Sequence, residues 1–251
     1  MAGLLDLVYN LSMEEVRRLI EDYQPLESTK DLIRKMQIVF LVGITGAGKD
    51  SIVNILLEDT RYAWIVAHAT RQPRINKGVM ERDGEKYYFV DEVKVLDMLK
   101  NHEFVEAKIV HEEVRGTSVK ELQRIYDFGK IALKDLDFQG AIDYRKMSSA
   151  VKTIFVLPPS YEVWRERLSD RYSDSVQDKY DLEKRMKSAV RELTSAMEND
   201  VFQLVVNDDL RVAAEEVSGI ISGDIDSSAK REQNIEIARE ILVKIKEDFG
   251  L

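Results

Sequence analysis

The 251-residue chain contains no cysteine, which excludes a disulfide framework, any thiolate zinc site and cysteine-based catalysis. Its three histidines, His68, His102 and His111, are scattered and build no histidine-rich metal site. Proline and glycine are scarce, at 4 and 12 residues, so collagen-like and low-complexity structure is excluded as well. Positive charge is in deficit: 37 Lys and Arg against 46 Asp and Glu give a formal net charge of −9. Nucleic acid and anionic membrane surfaces are thereby disfavoured as partners, since each calls for a net positive face. No run of about 18 apolar residues occurs. The N-terminus also lacks a basic, then apolar, then small-residue pattern, so a cytoplasmic protein with no membrane partner is expected. Asn10-Leu11-Ser12 fits a glycosylation acceptor, but it reads better as a helix N-cap at Ser12.

What remains is an ordinary globular composition, 44% hydrophobic and 33% charged, ordered into alternating element types. SMEE at residues 12–15 is a capping box, followed by Val16, Leu19 and Ile20 at helical spacing. A second amphipathic stretch covers residues 30–36, so residues 1–36 form a helical N-terminal extension. Residues 37–42 (QIVFLV) are a short β-type run, followed by a glycine-rich turn and a helical pattern, the opening of a parallel α/β domain. Further β-type runs lie at 64–67, 87–90, 104–110, 130–133, 152–157 and 201–206, most of them separated by helical patterns. The expected architecture is a mainly parallel sheet covered by helices, with a small β-rich lobe near residues 70–118. Residues 223–229 read as a polar linker into a final helix at about 230–248.

GITGAGK at residues 43–49 matches the GxxxxGK part of a Walker A loop, and it sits in the required context, after a strand and before a helix. The loop Gly43, Ile44, Thr45, Gly46, Ala47, Gly48 would curl its N–H groups around an anion, with Lys49 reaching the β- and γ-phosphates of ATP. The usual Ser/Thr after the lysine is Asp50, with Ser51 following. Asp50 has two readings: an oxygen ligand for Mg²⁺, or a carboxylate at a helix N-terminus.

HATRQPR at residues 68–74 and ERDGEKYYF at 81–89 resemble the guanylate kinase family signature TTRxPR…GExxGxxYxF. Arg71 and Arg74 present two forked donors suited to a phosphate dianion, and the Tyr87 hydroxyl can add a neutral hydrogen bond. The resemblance continues through FVEA at 104–107, GTS at 116–118, DLDFQG at 135–140, the Arg167–Arg171 and Lys184–Arg185 basic segments, and VNDDL at 206–210. It spans about residues 37–222. It implies a P-loop NTPase-type α/β fold with a nucleoside monophosphate-binding lobe at about 70–118 and a helical lid at about 169–186.

By that resemblance, Lys49, Arg71, Arg167, Arg171 and Arg185 act on the transferring phosphoryl group. Arg71, Arg74, Glu81, Tyr87, Glu106, Arg115, Thr117 and Asp137 hold the acceptor, and Asp50 and Asp137 are candidate Mg²⁺ ligands. Glu106 is the guanine reader, because a carboxylate can accept from both N1–H and the 2-amino group while adenine offers no such pair. Two positions depart from the family pattern. Ala67 replaces the usual Ser that contacts guanine O6, and Arg115 replaces the Tyr that contacts the acceptor phosphate. The implied reaction is ATP + GMP to ADP + GDP. Alternatives are a related kinase with another acceptor, such as a different nucleotide or ribose 1,5-bisphosphate, and a non-catalytic scaffold that binds phosphorylated partners.

Overall fold

The computed structural model describes residues 13–76, 78–110, 112–169 and 176–251, without the side chains of Asn76 and of residues 176–181. The chain forms two compact units, residues 37–62 with 133–251, and residues 1–36 with 63–132. The capping box lies partly outside the described residues, at Ser12.

The first unit is built on β1 (Ile38–Val42), α3 (Lys49–Leu56), α6 (Phe138–Met147), β10 (Lys152–Leu157), α7 (Tyr161–Ser169), α8 (Val176–Glu198), β11 (Phe202–Val206), α9 (Leu210–Ser222) and α10 (Arg231–Phe249). The chain passes between the units within or next to β2 (Tyr62–Trp64) and β9 (Ile131–Asp135). These two strands complete a five-stranded sheet in the order β11-β10-β1-β9-β2. β1 pairs parallel with β10, and β10 with β11. All five β1 residues are buried, as befits a strand covered on both faces, which is why residues 37–42 are continuously apolar instead of alternating. Helices α3, α6, α9 and α10 lie on these strands, and α8 packs against α6 and α10. The final helix, Arg231–Phe249, is part of this unit: Asn234 donates to the Leu204 carbonyl at 2.8 Å, tying α10 to edge strand β11.

The second unit holds α1 (residues 13–21), α2 (Glu27–Lys35), β3 (Ala67–Ala69), β4 (Ile75–Asn76), β5 (Val79–Met80), β6 (Tyr87–Phe89), α4 (Glu92–Lys100), β7 (Phe104–Val110), β8 (Glu113–Ser118) and α5 (Val119–Asp127). Its four-stranded sheet has the order β6-β3-β8-β7. β3 runs parallel to β6 and antiparallel to β8, and β7 is antiparallel to β8. The pairing assigns two faces. Ala67 is opposite Tyr87, Ala69 opposite both Phe89 and Arg115, and Glu106 opposite Thr117, which places these residues on one face. The other face carries Phe104, Ala107 and Val114 in a buried cluster with Met13, Val16, Val95, Met98 and Leu99.

A register shift between Phe104 and Glu106 makes this division possible. Phe104 is opposite Ser118 and Glu106 opposite Thr117, so Val105 is an extra residue, a β-bulge. Without it the two-residue period would put Glu106 on the same face as Phe104, in the apolar cluster.

Some sequence expectations are corrected. The β-type run at 64–67 is not one strand, because β2 ends at Trp64 and β3 begins at Ala67. Between them the Val66 N–H donates to Glu121 Oε1 at 2.9 Å instead of joining a ladder. The helix expected at 30–36 begins earlier, at Glu27. Strand β8 was not expected: its single large aliphatic residue, Val114, gives no alternating signal.

Candidate active site

The β1–α3 turn has the strand-to-helix setting and the glycine backbone of the expected phosphate loop. Gly43 has φ +138°, and a Cβ there would lie 2.3 Å from the Val156 carbonyl oxygen of β10. Gly48 has φ +94°, and a Cβ would meet Asn207 Nδ2 at 2.1 Å. Both positions require glycine, the first for close approach to the sheet and the second for a left-handed turn into α3. The loop is held at several points. Asn207 Nδ2 donates to the Ala47 carbonyl at 2.8 Å, Trp164 Nε1 to the Thr45 carbonyl at 2.7 Å, and Arg185 to Thr45 Oγ1 at 2.9 Å. Lys49 folds back over its own loop, donating to the Gly43 carbonyl and, at 3.3 Å, to that of Ile44.

Arg167, on α7, donates through one Nη to the Asn207 carbonyl at 3.1 Å, and its other Nη is buried without a protein partner among the described residues. Arg185 projects from α8, the 23-residue helix that includes the described second part of the expected lid. Arg171 lies outside the described residues. Asp50 occupies the first turn of α3 and is exposed, with Ser51 also exposed beside it. Asp137 is the N-cap of α6, with Oδ1 accepting the Gly140 N–H at 2.8 Å. Glu192 of α8, which the sequence did not single out, is a neighbour of this site. Burial raises its carboxyl pKa, the Lys49 charge opposes that rise, and Asp137 adds to it.

In the other unit, Arg71 is almost buried, with 7% of its side chain exposed, and forms a forked pair with Glu81 at 2.5 and 2.8 Å. The guanidinium also lies 4.9 Å from the Tyr87 ring centre and 5.4 Å from that of Phe89. Glu81 accepts the Arg74 backbone N–H at 2.9 Å as well. Its hydrogen bond to Arg71 outweighs burial and holds its pKa at about 2. Glu81 therefore aims Arg71 through a charge-assisted fork.

Glu113 is a second residue that sequence reasoning missed. It pairs with Arg74, receives Arg115 Nη2 at 3.2 Å, and lies 3.9 Å from Arg71 Nε. Three of the arginine and tyrosine positions expected to hold an acceptor phosphate thus gather around one carboxylate, with Arg115 also 5.7 Å from the Tyr87 ring centre. The expected acceptor residues Tyr87, Glu106, Arg115 and Thr117 share one sheet face by register. Glu106 carries no hydrogen bond or ion pair among the described residues, leaving its carboxylate available on that face. Asp137 is the exception among the expected acceptor residues, since it lies in the unit that carries the phosphate loop.

The family model described as guanylate kinase matches residues 35–224. The chain belongs to the guanylate kinase family. Among its relatives, guanylate kinase 1 of Oryza sativa subsp. japonica is 31% identical over 80% of this chain and 52% of the relative. Guanylate kinases of Haemophilus ducreyi and Photorhabdus laumondii are 34% and 36% identical, each over 72% of this chain and 84% of the relative. The chain thus spans about half the length of the rice relative and most of the bacterial ones. The crystal structure of guanylate kinase from Anaplasma phagocytophilum superposes with a TM-score of 0.55 at 29% identity, covering 75% of this chain and 86% of that one. The α/β fold read from the sequence is that of the family. α1, all but the last residue of α2, and the whole of α10 lie outside the family span, yet each is packed into one of the two units.

Proposed function

We propose that this guanylate kinase family member transfers the γ-phosphoryl group of ATP to a nucleoside monophosphate, GMP first among them. The observation that carries the reading is the acceptor face. There Glu106 stands opposite Thr117 with no competing partner, and Tyr87 and Arg115 share its face while Arg71 lies over Tyr87. A carboxylate so placed satisfies the N1–H and 2-amino donors of guanine. Facing adenine, it would be desolvated without paired donors. Arg71, Arg74 and Arg115 then take the acceptor phosphate, with Glu113 giving up its cations to it.

On the donor side, the backbone N–H groups of residues 43–48 and the N-terminus of α3 hold the triphosphate. Lys49 leaves the Gly43 and Ile44 carbonyls for the β- and γ-oxygens. Arg167, with a buried donor unspent, and Arg185, beside Thr45, neutralise charge that builds on the transferring group; Arg171 is assigned the same role by position in the motif. No protein nucleophile is needed, because positioning and electrostatics supply most of this catalysis.

The residues suit Mg²⁺ that arrives with ATP. Among the described residues no three acidic or histidine side chains cluster as a metal cage. Mg²⁺ typically needs only one or two carboxylates beside phosphates and water. Asp50, exposed next to the loop, is the better placed candidate, since Asp137 already spends an oxygen on capping α6. The ion, when bound, offsets charge on the β- and γ-phosphates.

A coupled ADP-release assay over GMP, dGMP, AMP, CMP, UMP, IMP and ribose 1,5-bisphosphate tests the reading. GMP should give the highest kcat/KM. Highest turnover with ribose 1,5-bisphosphate, or ATP binding with no turnover on any acceptor, would replace it.

A further inference from the structure

Glu106 can serve the acceptor face only because the Val105 bulge turns it there, so whatever fixes the bulge fixes the specificity of the site. β7 is an edge strand, with β8 on one side only. On the open side a bulge has no ladder to hold it, and edge bulges are where strands slip. At this point stands Tyr23, two residues beyond the helical stretch 13–21. Its hydroxyl donates to the Phe104 carbonyl at 2.7 Å and accepts the Phe104 N–H at 3.1 Å. One side-chain hydroxyl thus replaces both ladder bonds that a neighbouring strand would make to Phe104.

The clamp is itself anchored. Tyr23 packs against the buried cluster in which Met13 and Val16 of α1 meet Met98, Leu99 and Phe104. Glu15 pairs with Lys100 at 2.8 Å, and the Tyr23 ring lies 5.8 Å from that of His102. Burial raises the phenol pKa, so the hydroxyl keeps the proton it donates. On the β8 side the Glu103 carbonyl accepts the Val119 N–H at 2.8 Å, so the chain just before the bulge is held from both edges.

We propose that Tyr23, outside the span shared with the guanylate kinase family, is a positioning residue for Glu106: by fixing the backbone of Phe104 it holds the bulge that aims the guanine-reading carboxylate. The inference rests on the GMP reading above. It assigns to the N-terminal extension a part in base selection.

The test uses the full chain and the Tyr23→Phe variant, which keeps the ring and removes the hydroxyl. Val16→Ala serves as comparator, because it hollows the same cluster without touching the Phe104 backbone. In Tyr23→Phe, KM for GMP should rise about tenfold, the order of one misaimed charge-assisted hydrogen-bond pair, with KM for ATP unchanged. The preference for GMP over IMP should shrink, since IMP lacks the 2-amino group that Glu106 would no longer meet. Amide exchange of residues 104–107 should quicken while that of the phosphate loop stays the same. Val16→Ala should lower Tm and leave the GMP preference intact. An unchanged GMP:IMP ratio in Tyr23→Phe, against a GMP-selective wild type, overturns the inference alone. So does a Val16→Ala variant that loses the preference equally. A wild type with no GMP preference overturns the functional reading and the inference together.

Discussion

At the scale of single residues, two carboxylates of the proposed acceptor site, Glu81 and Glu113, hold its arginines. Glu81, with its pKa held at about 2 by Arg71 against an ordinary 4.5, contributes stability that is full above pH 4.5 and is lost as pH falls toward 2. Glu81→Gln should therefore lower Tm at pH 7, with the gap to wild type narrowing steadily between those two values in pH-resolved melts. Arg74 is more exposed than Arg71, and its partner Glu113 is also shared with Arg115. Its substitution with Ala should raise KM for the monophosphate at least about tenfold, the loss of one charge-assisted contact, while KM for ATP holds; equal changes in both constants would move Arg74 out of the acceptor site. Glu106→Gln replaces one acceptor oxygen with a donor. The GMP-over-AMP ratio of kcat/KM should fall by roughly 1–3 kcal/mol, or about 5- to 150-fold. A preference untouched by the substitution would remove Glu106 as the base reader.

At the scale of elements, legibility in the sequence followed how local each feature is. The expected phosphate loop is contiguous, so its strand-to-helix setting could be read directly. Its geometry sharpens the reading: Gly43→Ala would place a methyl against the Val156 carbonyl and force a non-glycine residue into a strained conformation costing about 1–3 kcal/mol. That variant should lose ATP affinity in calorimetry and show a lower Tm, whereas Ala47, already buried in the loop, marks a position where a methyl is accommodated. Strand β8 escaped notice because its core face carries only Gly116 and Ser118 beside Val114, too little apolar bulk for an alternation to show against Arg115 and Thr117. The bulge in β7 was equally invisible, as FVEA carries no mark that Val105 is an extra residue. Glu113, Glu192 and Tyr23 share the same cause. The partners that tie them to the site, Arg71 and Arg74 for Glu113, Lys49 and Asp137 for Glu192, and Phe104 for Tyr23, are distant in sequence, and no spacing rule reports a pairing that only the folded chain creates.

At the scale of the whole molecule, the two ends of the chain are structural parts of the units they join. Asn234 of α10 is buried, and its amide meets the Leu204 carbonyl of β11. Asn234→Ala should leave that carbonyl unsatisfied at about 1–3 kcal/mol, lowering Tm by several degrees in a calorimetric scan, while Val243→Ala on the exposed side of the same helix should stay near wild type. At the other end, Tyr23 and Phe104 are 81 residues apart, and the chain between them leaves for the other unit and returns. This separation has a consequence for biosynthesis. A ribosome adding about 5–20 residues per second delivers Phe104 roughly 4–16 s after Tyr23. During that interval the apolar stripe of α1, with Met13 and Val16, has been made while the surface that will cover it has not. That stripe stays uncovered until the β7–β8 hairpin has been made, so the segment around α1 cannot complete its packing earlier in synthesis.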